Sequence, residues 1–280
     1  MSEREFQDFL IANIVNAALK AGAAIMNVYN SSETFDVALK SDMSPITTAD
    51  RAAHNAIKEA LGQTRIPILS EEGREMKYDE RKNWEMFWLV DPLDGTVEYL
   101  NRNNEFTVSI ALMSNNRSVA GAIYAPCLQR LYIAGEGRGA FLHPSIASDA
   151  NANVNIDTFM SELQRLPLIQ EARERQRVAI SRSHNTPETY AHIEELRATH
   201  PDLEVIEQGS SYKFCMLAEG EVDYYVRTSA TSEWDTAAGE LILSEAGGTT
   251  ACYDGGEVML YNKADLHNPW FICRSSISNI

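Results

Sequence analysis

Two aspartates stand close together in the run Trp88-Leu89-Val90-Asp91-Pro92-Leu93-Asp94-Gly95-Thr96. Carboxylates this near each other repel unless a positive charge sits between them. A hard divalent cation such as Mg²⁺ meets that need, because it prefers oxygen ligands. Gly95 lets the backbone approach a ligand, and Thr96 offers a hydroxyl to orient a water or a phosphate oxygen. Taken alone, the motif also fits a tight turn in which an aspartate caps the next element. Two further acidic segments bear on that choice. Ser70-Glu71-Glu72-Gly73 comes after a short apolar run, and Trp234-Asp235-Thr236-Ala237-Ala238-Gly239 heads an apolar helix.

The elements that must position these groups can be read from periodicity and punctuation. Ser2 and Glu5 have capping-box spacing ahead of a helix whose apolar face includes Phe9, Leu10, Ile14, Ala17, Ala18, Ala21 and Ile25. Phe35, Val37 and Leu39 alternate with polar residues, as in a strand. Thr48 is expected to cap a helix over 49–61, ended by Gly62, with Asp50 in its first turn. The run 66–69 reads as a strand delivering Glu71, with Glu72 pointing the opposite way. Residues 74–83 read as a surface loop. The run 87–90 reads as a buried strand ended by Pro92. Antiparallel strands are expected over 106–113, 119–124 and 131–134.

Residues 143–156 are poor in large apolar groups. The division between an N-terminal half, 1–148, and a C-terminal half, 149–280, is placed there, with His143 in a loop. Beyond it, strands at 178–181, 204–207 and 222–226 alternate with helices at 187–198 and 212–218. That pattern implies an α/β half with a mainly parallel sheet. Gly209-Ser210-Ser211 feeds the second of these helices, an arrangement suited to an anion. Lys213 supplies a point charge one turn later, and Arg227 a planar fork. His184 comes after the first strand of this half, where α/β folds present ligands, though an ordinary loop histidine has the same sequence.

The chain has 280 residues and a formal net charge of -16, with 24 Lys and Arg against 40 Asp and Glu. This balance argues against gripping nucleic acid or an anionic membrane, but not against a small phosphorylated substrate, since bound metal can reverse the local sign. The four cysteines, Cys127, Cys215, Cys252 and Cys273, form no C-x-x-C pair and read as buried thiols in a reducing compartment. The charged N-terminus lacks a signal core, and no run is expected to span a bilayer. A cytoplasmic protein is expected, monomer or homodimer, with peripheral attachment at the inner membrane left open.

The three acidic segments resemble the signature of the inositol monophosphatase superfamily, the Mg²⁺-dependent, lithium-sensitive phosphatases. Asn101-Arg102-Asn103, Glu105-Phe106-Thr107-Val108-Ser109-Ile110-Ala111-Leu112, Ile180-Ser181-Arg182-Ser183-His184 and Gly209-Ser210-Ser211-Tyr212-Lys213-Phe214-Cys215 are similar to its CysQ-like branch, the 3′(2′),5′-bisphosphate nucleotidases. The resemblance extends from about residue 40 to 274. It implies a layered αβαβα sugar-phosphatase fold of the α+β and α/β classes, with an antiparallel N-terminal sheet. It also implies two or three Mg²⁺ ions held by Glu71, Asp91, Asp94, Asp235 and the Leu93 carbonyl. Asp50 and Thr96, together with Glu71, would carry catalysis by activating water. Glu71, Leu93, Asp94, Gly95, Thr96 and Asp235 would also touch the substrate, while Ser210, Lys213, Arg227 and His184 would hold the nucleotide. Lys40 and Arg102 could each meet a phosphate or lie in solvent.

Phosphate monoesters resist hydrolysis because their charge repels a nucleophile, and positioned cations relieve this. No nucleophilic cysteine, Ser-His pair or phospho-enzyme aspartate stands out, so direct attack by water fits better than a covalent route. The expected activity is hydrolysis of 3′-phosphoadenosine 5′-phosphate, in sulfate assimilation or nucleotide recycling. An inositol or sugar monophosphatase is the alternative, and an idle binder of phosphorylated metabolites a third reading.

Overall fold

The computed structural model describes residues 3–31, 37–39, 45–256 and 258–280. Ser2, Phe35 and Lys40, and the expectations placed on them, lie outside the described residues. The chain opens with α1 (Glu3–Tyr29), then β1 (Val37–Leu39) and β2 (Pro45–Thr47), paired antiparallel. Helix α2 (Thr48–Gly62) is capped by Thr47, not by Thr48. The Thr47 hydroxyl accepts from the Ala49 and Asp50 amides, while Asp50 Oδ2 accepts from the Thr47 amide at 2.7 Å. The carboxylate three positions after Thr47 completes this reciprocal box and so moves the cap by one residue.

Next come β3 (Ile68–Ser70), α3 (Tyr78–Arg81), β4 (Met86–Asp94), α4 (Thr96–Leu100), β5 (Thr107–Ser114), β6 (Arg117–Ala125), β7 (Arg130–Gly135), β8 (Gly139–His143), α5 (Ile156–Ser161) and β9 (Gln164–Arg165). Strands β3 to β9 form one sheet in chain order, parallel between β3 and β4 and antiparallel thereafter. The expected loop at 74–83 contains α3. There Arg81 is buried, donating to Asn262 Oδ1 at 2.8 Å and Ala264 O at 3.2 Å. His143 ends β8 instead of lying in a loop; it is buried, stacked on Phe159, with Nε2 2.8 Å from Glu162. Because β9 pairs with β8, the chain leaves this sheet only after Arg165, past the division at 148/149.

The remainder comprises β10 (Arg177–Ser181), α6 (Pro187–Thr199), β11 (Glu204–Gln208), α7 (Tyr212–Glu219), β12 (Tyr224–Arg227), α8 (Glu233–Glu245), β13 (Thr249–Cys252) and β14 (Phe271–Arg274). The second sheet has the order β11-β10-β12-β14-β13. Strand β10 is parallel to β11 and β12, as a strand–helix–strand alternation requires, but β14 is antiparallel to β12 and β13. The sheet is therefore mixed and not mainly parallel. Its last two strands are joined by the irregular segment 253–270, whose described residues supply no crossover helix.

The layers run αβαβα. Helices α1 and α2 cover one face of the first sheet, α7 and α8 lie between the sheets, and α6 covers the far face of the second. Strand β4 shows the pleat that builds this stack. Trp88 and Val90 enter the core under α1 and α2, while Phe87 and Leu89 enter the core around α7 and α8. Phe9, expected on the apolar face of α1, is 41% exposed. Over Asp8–Tyr29, α1 is long and apolar enough to meet the length and composition of a membrane span, contrary to expectation, but most of it is buried within the protein. Cys215 and Cys273 are buried as expected, whereas Cys127 and Cys252 are only partly so, and none of the four forms a disulfide.

Candidate active site

The site forms where β4 breaks its register. Asp91 pairs with Ser109 and Asp94 with Thr107, so three steps on β4 oppose two on β5. Pro92 sits in this bulge, which is how the strand continues through a proline expected to end it. The bulge leads into Gly95, whose φ of 93° few other residues adopt, and from there into α4.

Asp91, Asp94, Glu71 and Asp235 line one cavity of about 300 Å³. Glu71 reaches it from the end of β3, its amide donating to Val90 O at 3.0 Å. Asp235 arrives from the second half at the third position of α8, where its Oδ2 accepts from the Ser232 amide at 2.8 Å. Glu72 does not line the cavity. The Asp91 carboxyl is pushed well up by burial first, then by the negative charges of Glu71, Asp94 and Asp235. Burial also raises Asp94, against the pull of Ser211, whose amide donates to its Oδ2. Asp235 is raised to about 8 by burial and by the charges of Asp94 and Glu71.

These donors fit a hard divalent cation by type. All are oxygens, and each aspartate uses one oxygen within the protein: Asp91 Oδ1 for the Leu93 amide at 3.0 Å, Asp94 Oδ2 for Ser211, Asp235 Oδ2 for Ser232. Among the described residues, no hydrogen bond reaches the other oxygen of Asp94 or Asp235. As they stand, no three such side chains of the described residues are drawn in tightly enough to share one ion. A cation bound among the carboxylates would offset their mutual repulsion.

Thr96 and Asp50 meet across the two helices that bear them. The Thr96 hydroxyl lies 3.3 Å from Asp50 Oδ1 and 3.4 Å from Leu93 O, while Asp50 Oδ2 accepts from the Thr47 hydroxyl at 2.6 Å. Asp50 is buried and does not itself line the cavity; it reaches it through Thr96.

His184, Ser210, Lys213 and Arg227 line the same cavity. Ser210 holds a left-handed φ of 56°. The buried Lys213 ammonium donates to Gln208 O at 2.9 Å and Ser210 O at 2.6 Å and lies over the Tyr225 ring. Burial and the Arg227 charge lower its pKa to about 7. Lys213 thus braces the 208–210 loop as well as facing the cavity. Arg227 donates to Ala230 O at 3.2 Å, and burial with the Arg227 charge lowers the His184 pKa. Arg102 is not at the site; it donates to Tyr29 O at 2.9 Å and lies over the Tyr29 ring.

Several cavity or loop-setting residues escaped the sequence. Glu98 and His267 line the cavity. Glu105 accepts from the Gly209 amide at 2.8 Å, and Thr107 shares a 2.9 Å hydrogen bond with Ser211. Gly209 is needed for close approach, since a Cβ there would lie 2.4 Å from Glu98 Cγ. The acidic residues beside Gly95 and Phe106 were visible, but which loop they would meet was not.

Comparison with known proteins places the whole chain. The sequence pattern of the Inositol monophosphatase family matches residues 7–275. The 3′(2′),5′-bisphosphate nucleotidase CysQ of Salmonella typhimurium is 38% identical over 264 residues, covering 94% of this chain and 98% of that protein. A crystal structure of CysQ from Bacteroides thetaiotaomicron superposes with a TM-score of 0.85 at 43% identity, over 94% of this chain and 96% of that one. The suhB protein of Bartonella henselae superposes at 0.75 with 27% identity, over 96% and 94% of the two chains. The chain belongs to the inositol monophosphatase family.

Proposed function

We propose that this protein is a Mg²⁺-dependent 3′(2′),5′-bisphosphate nucleotidase that converts 3′-phosphoadenosine 5′-phosphate and water to AMP and phosphate. The observation that carries this reading is the shared cavity. Four carboxylates, Glu71, Asp91, Asp94 and Asp235, share it with the cationic Lys213 and Arg227 and with His184. A substrate with two phosphates has a use for both sets of groups.

Two or three Mg²⁺ ions held by those carboxylates and the Leu93 carbonyl would neutralise the phosphoryl oxygens and make a water easier to deprotonate. The Thr96 hydroxyl orients that water and passes its proton towards Asp50. Attack at phosphorus breaks the bond to the 3′ oxygen, which takes a proton from solvent water and leaves as the hydroxyl of AMP. Backbone groups at Gly95 and Thr96 steady the transferred phosphate. Ser210, Arg227 and His184 hold the second phosphate and sugar, with Lys213 fixing the loop that presents them. In this reading residues 1–148 supply the catalytic half and residues 149–280 the substrate half. The protein acts in the cytoplasm, in sulfate assimilation or nucleotide recycling.

The test is phosphate release with Mg²⁺ from 3′-phosphoadenosine 5′-phosphate and from inositol 1-phosphate, each with and without lithium. A large preference for the nucleotide, abolished by lithium, is expected. A preference for inositol phosphate would overturn the bisphosphate reading while leaving the metal site in place.

A further inference from the structure

Glu98 is an acidic residue of the cavity that the proposed reaction leaves unused. It is 2% exposed, yet it lines the cavity. Its Oε1 accepts from the Ser183 hydroxyl at 2.7 Å. Among the described residues Ser183 is its one hydrogen-bond donor, although a carboxylate has room for about four. The positive charge of Arg182 and Lys213 and the His184 ring also act on it.

The position of this carboxylate is tightly set. A Cβ on Gly209 would lie 2.4 Å from Glu98 Cγ, and one on Gly95 would lie 3.4 Å from Glu98 Oε2. Two glycines from different halves therefore close around it. Gly95 and Thr96, where the scissile phosphate is placed, and Ser210 and His184, where the second phosphate is placed, line the same cavity as Glu98. An anion among them repels phosphate and accepts only from a donor. Between the two phosphates of a nucleoside bisphosphate lies a ribose with one hydroxyl left free.

Resting on the bisphosphate reading, we infer that Glu98 accepts a hydrogen bond from that free ribose hydroxyl and is a specificity-determining residue. It selects ribonucleotide over deoxyribonucleotide substrates. Ser183 positions the carboxylate for this contact.

The experiment compares kcat/KM for adenosine 3′,5′-bisphosphate and its 2′-deoxy analogue, in the wild type, Glu98→Gln and Glu98→Ala. The wild type should prefer the ribonucleotide about ten- to a hundredfold, as expected for a hydrogen bond to a charged group at a site built for a hydroxyl. Glu98→Ala should lose most of its activity on the ribonucleotide and little on the analogue, so that the ratio falls towards one. Glu98→Gln, which keeps the shape and one acceptor, should fall between and carries the test if the alanine variant does not fold. Equal use of both substrates by the wild type would overturn the assignment, as would an equal loss on both in the variants. If the wild type acts on inositol 1-phosphate and on neither nucleotide, the bisphosphate reading itself has failed.

Discussion

Arg182 grips Glu105 with two nitrogens, Nε and Nη2, each 2.6 Å from a carboxylate oxygen. Glu105 precedes β5 of the first sheet, and Arg182 comes directly after β10 of the second. The same carboxylate accepts from the Gly209 amide at 2.8 Å, so one side chain joins the sheets and sets the loop that faces the cavity. The guanidinium side chain is 37% exposed, so the pair contributes little to stability. Arg182→Ala should therefore leave the thermal midpoint nearly unchanged while raising KM for the nucleotide several-fold, with a smaller effect on kcat. Steady-state kinetics beside a thermal melt separates these effects, and a large loss of stability with unchanged KM would contradict the positioning role.

Asp91→Asn should lower phosphate release by more than about a hundredfold, since even partners behind a metal ligand cost ten- to a hundredfold when altered. The same change removes one of several mutually repelling carboxylates. It should raise the thermal midpoint of the metal-free protein. Unaltered phosphate release would dismiss Asp91 as a ligand.

Acidity gives a separate handle on the carboxylates. A buried carboxyl whose folded pKa exceeds its unfolded value holds its proton more tightly in the folded chain. The fold is then favoured at low pH and loses that advantage as pH rises. For Asp235 the window runs from 3.8 to about 8, and Asp91 and Asp94 shift in the same direction. Metal-free protein should lose stability across this window, by up to about 1.4 kcal/mol per pH unit for each group. Magnesium should restore it, more at pH 8 than at pH 5. Melts with EDTA or Mg²⁺ at both values decide the matter; a magnesium effect independent of pH would place the ion elsewhere.

Gly209→Ala should displace its loop, because the added carbon would lie 3.0 Å from Glu105 O as well as against Glu98. A loss of at least about tenfold in kcat/KM is expected from misplacing the substrate. Gly255→Ala, where a Cβ meets nothing within 4 Å, is the matched control and should behave as wild type.

Lys213→Met should destabilise the protein by roughly 2–4 kcal/mol, because the Gln208 and Ser210 carbonyls would lose their buried donor. Denaturant titration without substrate measures this. Full stability with nucleotide affinity lost would place the ammonium on the ligand alone.

Much of this arrangement was legible in the chain itself. The apolar runs at 87–90, 106–113, 119–124 and 131–134 announce strands of the first sheet. The four acidic metal candidates are marked by short strands ending at Glu71 and Asp91 and by a helix starting at Asp235. Other features were not legible because their cause is remote. Glu98 and Glu105 lie in polar stretches where a solvated carboxylate reads the same, and only the approach of Gly209 from the second half gives them a purpose. Lys213 reads as a charge for phosphate until the folded loop turns two carbonyls towards it. The antiparallel return of β14 depends on the irregular 253–270 segment, which has no period to read. The cap falls on Thr47 and not on the expected Thr48 because neighbouring threonines differ only in which one the Asp50 carboxylate can reach.

Strand β9 consists of Gln164 and Arg165, both exposed, paired with the free side of β8. A row of unpaired backbone groups invites another chain to add on, and a very short polar strand is one way to discourage this. A fragment ended at 148 would keep the bulge and its aspartates but lose this guard. Such a fragment should self-associate in solution, whereas one carried through Arg165 should not. For splitting the protein into two complementing pieces, the workable cut lies between Arg165 and Arg177.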